Sequence, residues 1–214
     1  YLADYQKNSN CSNVTIDNIR RNISSFFSWL EEEDYILKSP MRRIHKIKTK
    51  TVVKNTISDE SIEKLRDYCT EIRDLAIIDL LYSTGIRVGE LVNLNIDDID
   101  LEGRECIVYG KGDKERRVYF DAKAKVHLKE YIEGRKDENK ALFVTLDAPY
   151  DRLKISGVEI RLRQLGRKLD LEKIHPHKFK RTMATRAIDV GMPIEQVQKI
   201  LGHSQIDTTM QYAM

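Results

Sequence analysis

The sequence predicts a mostly α-helical body with a small β-sheet, an α+β domain, preceded by a small all-α module. Three observations predict it. Apolar residues recur at three- and four-residue steps in segment after segment, the period of an amphipathic helix. Two short strand-like runs flank Gly110-Lys111-Gly112-Asp113, a composition suited to a tight reversal. The stretch from Tyr35 to Ser58 has no acidic residue, and its second half has no apolar periodicity, which separates one body from another.

In chain order, Tyr1 to Lys7 reads as the tail of an earlier helix. Thr15 is placed to N-cap a helix whose apolar face is Ile16, Ile19, Ile23, Phe26, Phe27 and Leu30. The turn signal Ser39-Pro40 closes this module. The segment from Thr49 to Lys54 reads as an interdomain linker, so residues 1–48 form a partial helical module, 49–57 a basic linker and 58–214 the larger body. Ser58 is an N-cap for a helix with Ile62, Leu65 and Cys69 on one face. A strongly apolar helix containing Leu75, Ile78, Leu80 and Leu81 follows, broken at Thr84-Gly85 and resumed from Arg87 to Leu94. Glu105 to Tyr109 and Arg116 to Phe120 read as a hairpin with Lys111 at its bend. Helical patterns return at 123–133, 157–169, 177–190 and 194–201, with a strand expected at Leu142 to Thr145.

Composition narrows the class. The chain has 214 residues, 41% hydrophobic and 33% charged, with a net charge of +3. That is enough chain for a real core, and no apolar run approaches the roughly 20 residues of a membrane span. Cys11, Cys69 and Cys106 are far apart and lack CxxC spacing, which argues for a reducing compartment and against a disulfide framework. The start at Tyr1 and the stop at Met214 inside a helical pattern predict a piece of a longer protein. Charge is concentrated: Lys38, Arg42, Arg43, Lys46, Lys48, Lys50 and Lys54 form a basic ribbon suited to a phosphate backbone, or else a solvated linker.

Taken singly, the polar candidates are ordinary. Arg87 after a glycine break serves as a helix cap. Gly110-Lys111-Gly112 is not a P-loop, which needs four residues before a Gly-Lys-Ser/Thr end. His175, His177 and His203 lack nearby Cys or carboxylate residues at metal-ligand spacing, so no metal and no cofactor is expected.

Taken in order, they resemble a known family. Thr84-Gly85-Ile86-Arg87-Val88-Gly89-Glu90-Leu91, Gly110-Lys111-Gly112, Pro176-His177-Lys178-Phe179-Lys180-Arg181 and Leu201-Gly202-His203-Ser204, with Tyr212 nine residues after His203, resemble the tyrosine recombinases, or phage-type integrases. The resemblance spans the larger body. The helical module and basic linker resemble the core-binding domain that precedes it in that family. It implies a site-specific recombinase or mobile-element integrase that cleaves and rejoins duplex DNA through a 3′-phosphotyrosine in the bacterial cytoplasm.

The chemistry implied by the resemblance suits these residue types. Phosphodiester exchange places negative charge on non-bridging oxygens, so fixed cations and donors are needed there. Arg87 supplies a bidentate fork, Glu90 orients it, and His203 donates a further hydrogen bond. Tyr212 is the implied nucleophile, with an ordinary pKa of about 10 that neighbouring cations must offset. His177 is the implied base or proton relay, and Lys111 the acid for the 5′-oxygen. Arg42, Arg43, Lys46, Lys48, Lys50, Lys114 and Arg181 are the candidate DNA contacts.

One position departs from the family's His-x-x-Arg: three residues after His177 stands Lys180, followed by Arg181. Lysine keeps the charge but not the planar two-donor fork, which predicts an attenuated site, engineered or natural. Rescue by Arg181 is disfavoured because that residue lies about 100° further round the helix. The implied partner is duplex DNA gripped by a two-domain clamp, with four protomers in the full recombination assembly. The family's C-terminal helix is not present after Tyr212, so a monomer or impaired assembly is expected. The rivals are a catalytically silenced DNA-binding protein of the same fold, a type IB topoisomerase-like enzyme and a helical protein-interaction module.

Overall fold

A computed structural model of the chain describes residues 1–48, 55–110, 115–171, 173–202 and 205–212, Asp207 by its backbone alone. The chain divides into two compact units, Tyr1–Val53 and Lys54–Met214.

The first unit is built on α1 (Leu2–Ser9) and the longer α2 (Asn13–Glu32), followed by a short 3-10 turn at Pro40–Arg43. The N-cap of α2 is Ser12, not Thr15: its hydroxyl accepts from the Thr15 N–H at 3.3 Å. A side-chain oxygen three residues before a free amide satisfies one of the orphan donors of a helix start, and Thr15 supplies that amide. Asp17, buried on α2, pairs with Arg20 at 2.8 Å and accepts from the Ile47 N–H at 3.1 Å. The Arg20 hydrogen bond, then the Ile47 amide, hold its carboxyl below the usual range. Glu31 accepts from the Ser39 N–H at 3.0 Å and pairs with Arg42, so the chain beyond the turn is tied back to α2 at two points.

The second unit starts with α3 (Asp59–Tyr68), whose cap Ser58 accepts from the Ser61 N–H at 3.2 Å. At its centre lies α4 (Ile72–Thr84), with Ala76, Ile78, Leu80 and Leu81 fully buried. Each such leucine or isoleucine contributes about 1.5–3 kcal/mol. Two buried carboxylates on this helix fix its neighbours. Asp79 accepts from Arg66 of α3 at 2.7 Å and meets His127 of α6 (Ala122–Glu133). Asp74 pairs with Arg73 at 2.7 Å and with Arg161 of α7 (Ile155–Lys168).

After α5 (Val88–Asn93) come β1 (Ile99–Asp100), β2 (Glu105–Tyr109) and β3 (Glu115–Tyr119), an antiparallel sheet in that order. Cys106 faces Val118 and Val108 faces Arg116 across β2 and β3. Cys106, Val108 and Val118 are buried, whereas Ile107, Tyr109 and Tyr119 on the other face are exposed, the two-residue period of a half-covered sheet. The two-residue β1 is too short to leave a periodic signal in the sequence.

The strand expected at Leu142 to Thr145 does not form; isolated bridges Asn95–Ala141 and Val144–Arg152 stand there instead. The reason lies in where its backbone groups bond. The Leu142 N–H donates to Leu94 at 2.8 Å, the Val144 N–H to the Tyr131 hydroxyl at 3.2 Å, and the Val144 carbonyl accepts from Arg73 at 3.1 Å. Partners on three different elements make a buried apolar run without a ladder.

The last helices are α8 (Pro176–Asp189), α9 (Ile194–Leu201) and α10 (Ile206–Met210). Pro176 occupies the first position of α8, where its missing N–H costs nothing. Ala184, Val197 and Leu201 form a small second core between α8 and α9. Among the described residues no helix is long and apolar enough to cross a membrane.

Candidate active site

The site grows from two helix ends. Gly85 terminates α4 in the left-handed region, with φ 62°, and Arg87 then serves as N-cap of α5. A side chain at Gly85 would also meet Met183 at 3.0 Å. The three-residue step from Arg87 to Glu90 places the carboxylate beneath the arginine: Glu90 accepts from the Arg87 N–H at 2.8 Å and from Nη1 at 2.9 Å. The second helix end is the C-terminus of α9, closed by Gly202 at φ 61°.

Three cationic side chains converge on the consecutive carbonyls of that end. Arg116 Nε donates to Ile200 at 2.9 Å, Lys180 Nζ to Leu201 at 2.8 Å and Arg87 Nη2 to Gly202 at 3.1 Å. Carbonyls at a helix C-terminus lack partners within the helix and carry its negative dipole end, so cations are stabilised there. Glu90 is the carboxylate among them. Arg116 grips it with both Nη groups, at 2.9 and 2.7 Å, so Glu90 accepts four hydrogen bonds in all. Burial opposes its charge, but Arg116 and then the Arg87 amide outweigh this and hold its pKa below the ordinary value. With its lone pairs occupied, Glu90 is an orienting group rather than a proton acceptor.

Lys180 is 4% exposed. Burial, reinforced by Arg87 and Arg116 and opposed by Glu90, pushes its ammonium pKa down to about 7. Arg181 points elsewhere, its Nη1 donating to the Asn55 carbonyl at 3.0 Å, while the Ile57 N–H bonds Thr182 at 2.9 Å. Lys180 therefore faces the cation cluster, and Arg181 fastens α8 to the segment that enters the unit. His177 is exposed on the first turn of α8, its ring 6.4 Å from that of His175. Burial and then the His177 charge lower the His175 pKa.

Tyr212 packs on the Ala184, Val197 and Leu201 core. Burial raises its pKa, while Arg181 and then Arg87 act to lower it. Of the other sequence candidates, Lys50, Lys111, Lys114 and His203 lie outside the described residues. Arg42, Arg43, Lys46 and Lys48 are exposed in the first unit, Arg42 in its pair with Glu31.

Arg116 is absent from the sequence candidates. The signal was there: strand alternation puts it on the same face as buried Val118, and an inward arginine demands a carboxylate.

A mostly helical domain that gathers arginine and lysine at one helix end, with a tyrosine in the turn just past the next short helix, has the makings of a phosphate-handling site. The chain belongs to the phage integrase family, whose model matches residues 39–214. The tyrosine recombinase XerC of Oceanobacillus iheyensis is 34% identical over 202 residues, covering 89% of this chain and 66% of that protein. For XerC of Thermodesulfovibrio yellowstonii the figures are 34% over 214 residues, with 94% and 71% covered. The chain thus spans about two thirds of the length of these relatives. The crystal structure of XerA recombinase superposes with a TM-score of 0.70 at 25% identity, covering 100% of this chain and 91% of that one. The Tn1549 transposon integrase in complex with transposon right end DNA shares the fold, with a TM-score of 0.85 at 22% identity, covering 99% and 78%.

Proposed function

We propose that this chain is part of a site-specific DNA recombinase that cleaves and rejoins duplex DNA through a phosphotyrosine at Tyr212. The observation that carries the reading is the convergence of Arg87, Lys180 and Arg116 on the end of α9, one short helix before Tyr212. Related proteins that share the fold have been solved as recombinases bound to DNA, such as XerH on a palindromic difH substrate.

In this reading the Tyr212 oxygen attacks phosphorus, a P–O bond to tyrosine forms, and the P–O5′ bond breaks. His177 takes or relays the phenol proton and Lys111 protonates the departing 5′-oxygen. Arg87, Lys180 and His203 hold the non-bridging oxygens as they gain charge. In the described residues two of the five N–H donors of Arg87 are occupied, which leaves donors for a phosphate. Residues 1–48 serve as the core-binding portion, and the exposed Arg42, Arg43, Lys46 and Lys48 contact the DNA backbone, with Lys50, Lys114 and Arg181 extending that contact. Recombination proceeds in a tetramer of the longer protein.

A second reading, a DNA-binding protein of the same fold without chemistry, is favoured by one observation: Lys180, buried beside two arginines, stands where the family has arginine. A nicked suicide duplex separates the two. The recombinase reading expects a protein–DNA adduct that survives boiling in detergent and is lost in Tyr212→Phe; the silenced reading expects binding without an adduct, even in Lys180→Arg.

A further inference from the structure

We propose that Arg116 is a positioning residue for the cleavage reaction, holding Glu90, and through it the Arg87 guanidinium, in register with the turn that ends α9. The proposal rests on the recombinase reading above.

Arg116 lies on the inward face of β3, opposite Val108. Its one planar group joins three elements that lie far apart in the sequence. The two Nη groups grip Glu90 near the start of α5, Nε donates to the Ile200 carbonyl of α9, and β3 itself supplies the anchor. The guanidinium also lies against Gly202, where an added Cβ would come within 3.0 Å of it. Arg87 is held by the same two objects: Nη1 donates to Glu90 and Nη2 to the Gly202 carbonyl. Whatever fixes Glu90 relative to Gly202 therefore fixes the direction of Arg87, and Arg116 is the group that touches both.

The division of labour follows exposure. The Arg87 side chain is 37% exposed and faces outward with donors to spare, whereas that of Arg116 is 14% exposed and spends Nε and both Nη groups on protein acceptors. Arg116 thus acts through other groups rather than on the phosphate. A planar fork with three donors in one plane is needed, which a lysine cannot supply.

Charge provides a readout that packing alone would not. The groups facing Glu90 are Arg87 on α5, Arg116 on β3, Lys180 on α8 and Cys106 on β2, the last held neutral by burial that pushes its thiol up to about 12. Burial works against the Glu90 charge and Arg116 is the main group overcoming it. Without Arg116 the carboxyl takes up a proton at higher pH and releases Arg87.

The test uses Arg116→Gln and a nicked duplex that the unmodified protein selects from a random pool. The cleavage rate should fall by on the order of 10², the cost of a misaimed group, with the half-saturating duplex concentration little changed. The rate should also fall more steeply as pH drops than that of the unmodified protein, through an added acid limb that Arg116→Gln/Glu90→Gln lacks. Arg116→Lys, which keeps the charge and guards against a folding failure, should cleave slowly without the acid limb. Undiminished cleavage by folded Arg116→Gln, or slow cleavage with a pH profile no different from that of the unmodified protein, would overturn the proposal. A carbon NMR titration of the Glu90 carboxyl distinguishes the two readings. An upward shift in Arg116→Gln with no adduct from any variant defeats the recombinase reading and leaves the Arg116–Glu90 coupling standing. An adduct with an unmoved Glu90 titration defeats this proposal alone.

Discussion

The ammonium of Lys180 donates a 2.8 Å hydrogen bond to the carbonyl of Leu201, joining α8 to the end of α9 directly before Gly202. In this position a lysine reaches one backbone acceptor with a single point charge, where an arginine would present a planar fork able to grip two oxygens at once.

Lys180→Arg should raise the cleavage rate by on the order of 10² to 10³, the worth of one oriented transition-state donor. Duplex affinity at neutral pH should change far less, because both side chains bring positive charge to the ground-state phosphate. Single-turnover cleavage of a nicked duplex, beside equilibrium binding, checks both. Arg181→Ala is the control and should slow cleavage much less, since Arg181 bonds Asn55 rather than the carbonyls of α9.

Lys180 also sets a pH dependence. Its pKa in the fold is about 7, against an ordinary value of about 10.4, so between these two values the unfolded chain holds a proton that the fold does not. Stability should rise with pH across that window, and Lys180→Arg should remove this contribution. Binding has the opposite sign: affinity for duplex should fall as pH rises above 7 and Lys180 loses its charge, with protons taken up on binding. Affinities across that range, with Lys180→Arg giving the flatter curve, are the measurement.

Much of this arrangement was legible in the sequence. The bounds of α9 and β2 match the apolar periodicity, and the step from Arg87 to Glu90 produces the contact that helical spacing implies. The 100° between neighbouring helix residues separates Lys180 from Arg181 as expected, one toward Leu201 and the other toward Asn55. What escaped depends on distant chain. Arg116 finds Glu90 across 26 residues and Ile200 across 84, so only an inward charge on β3 hinted at it. The run from Leu142 to Val144 is apolar enough for a strand, but its backbone groups bond Leu94, Tyr131 and Arg73 on three elements, which no local pattern records.

Gly202→Ala should weaken both fold and cleavage. The residue sits at φ 61°, and its Cβ would press on the Arg116 guanidinium at 3.0 Å. The left-handed conformation alone costs a non-glycine residue about 1–2 kcal/mol. A lowered melting temperature and a cleavage loss beyond what unfolding explains are expected.

Neutralising Lys46, Lys48 and Lys50 together should weaken binding to all duplex sequences alike. The log–log salt dependence should flatten by about 0.9 for each DNA phosphate that the protein no longer neutralises. Titrations over a series of salt concentrations check it; an unchanged slope would place the ribbon away from DNA.

The central claim is that Tyr212 becomes joined to DNA. The direct measurement is peptide mapping, by mass spectrometry, of the adduct formed by the Lys180→Arg protein on a nicked duplex after nuclease digestion. The expected result is a phosphotyrosyl nucleotide on the peptide containing Tyr212, linked through the 3′-phosphate. An adduct on any other residue, or on the 5′-phosphate, would contradict it.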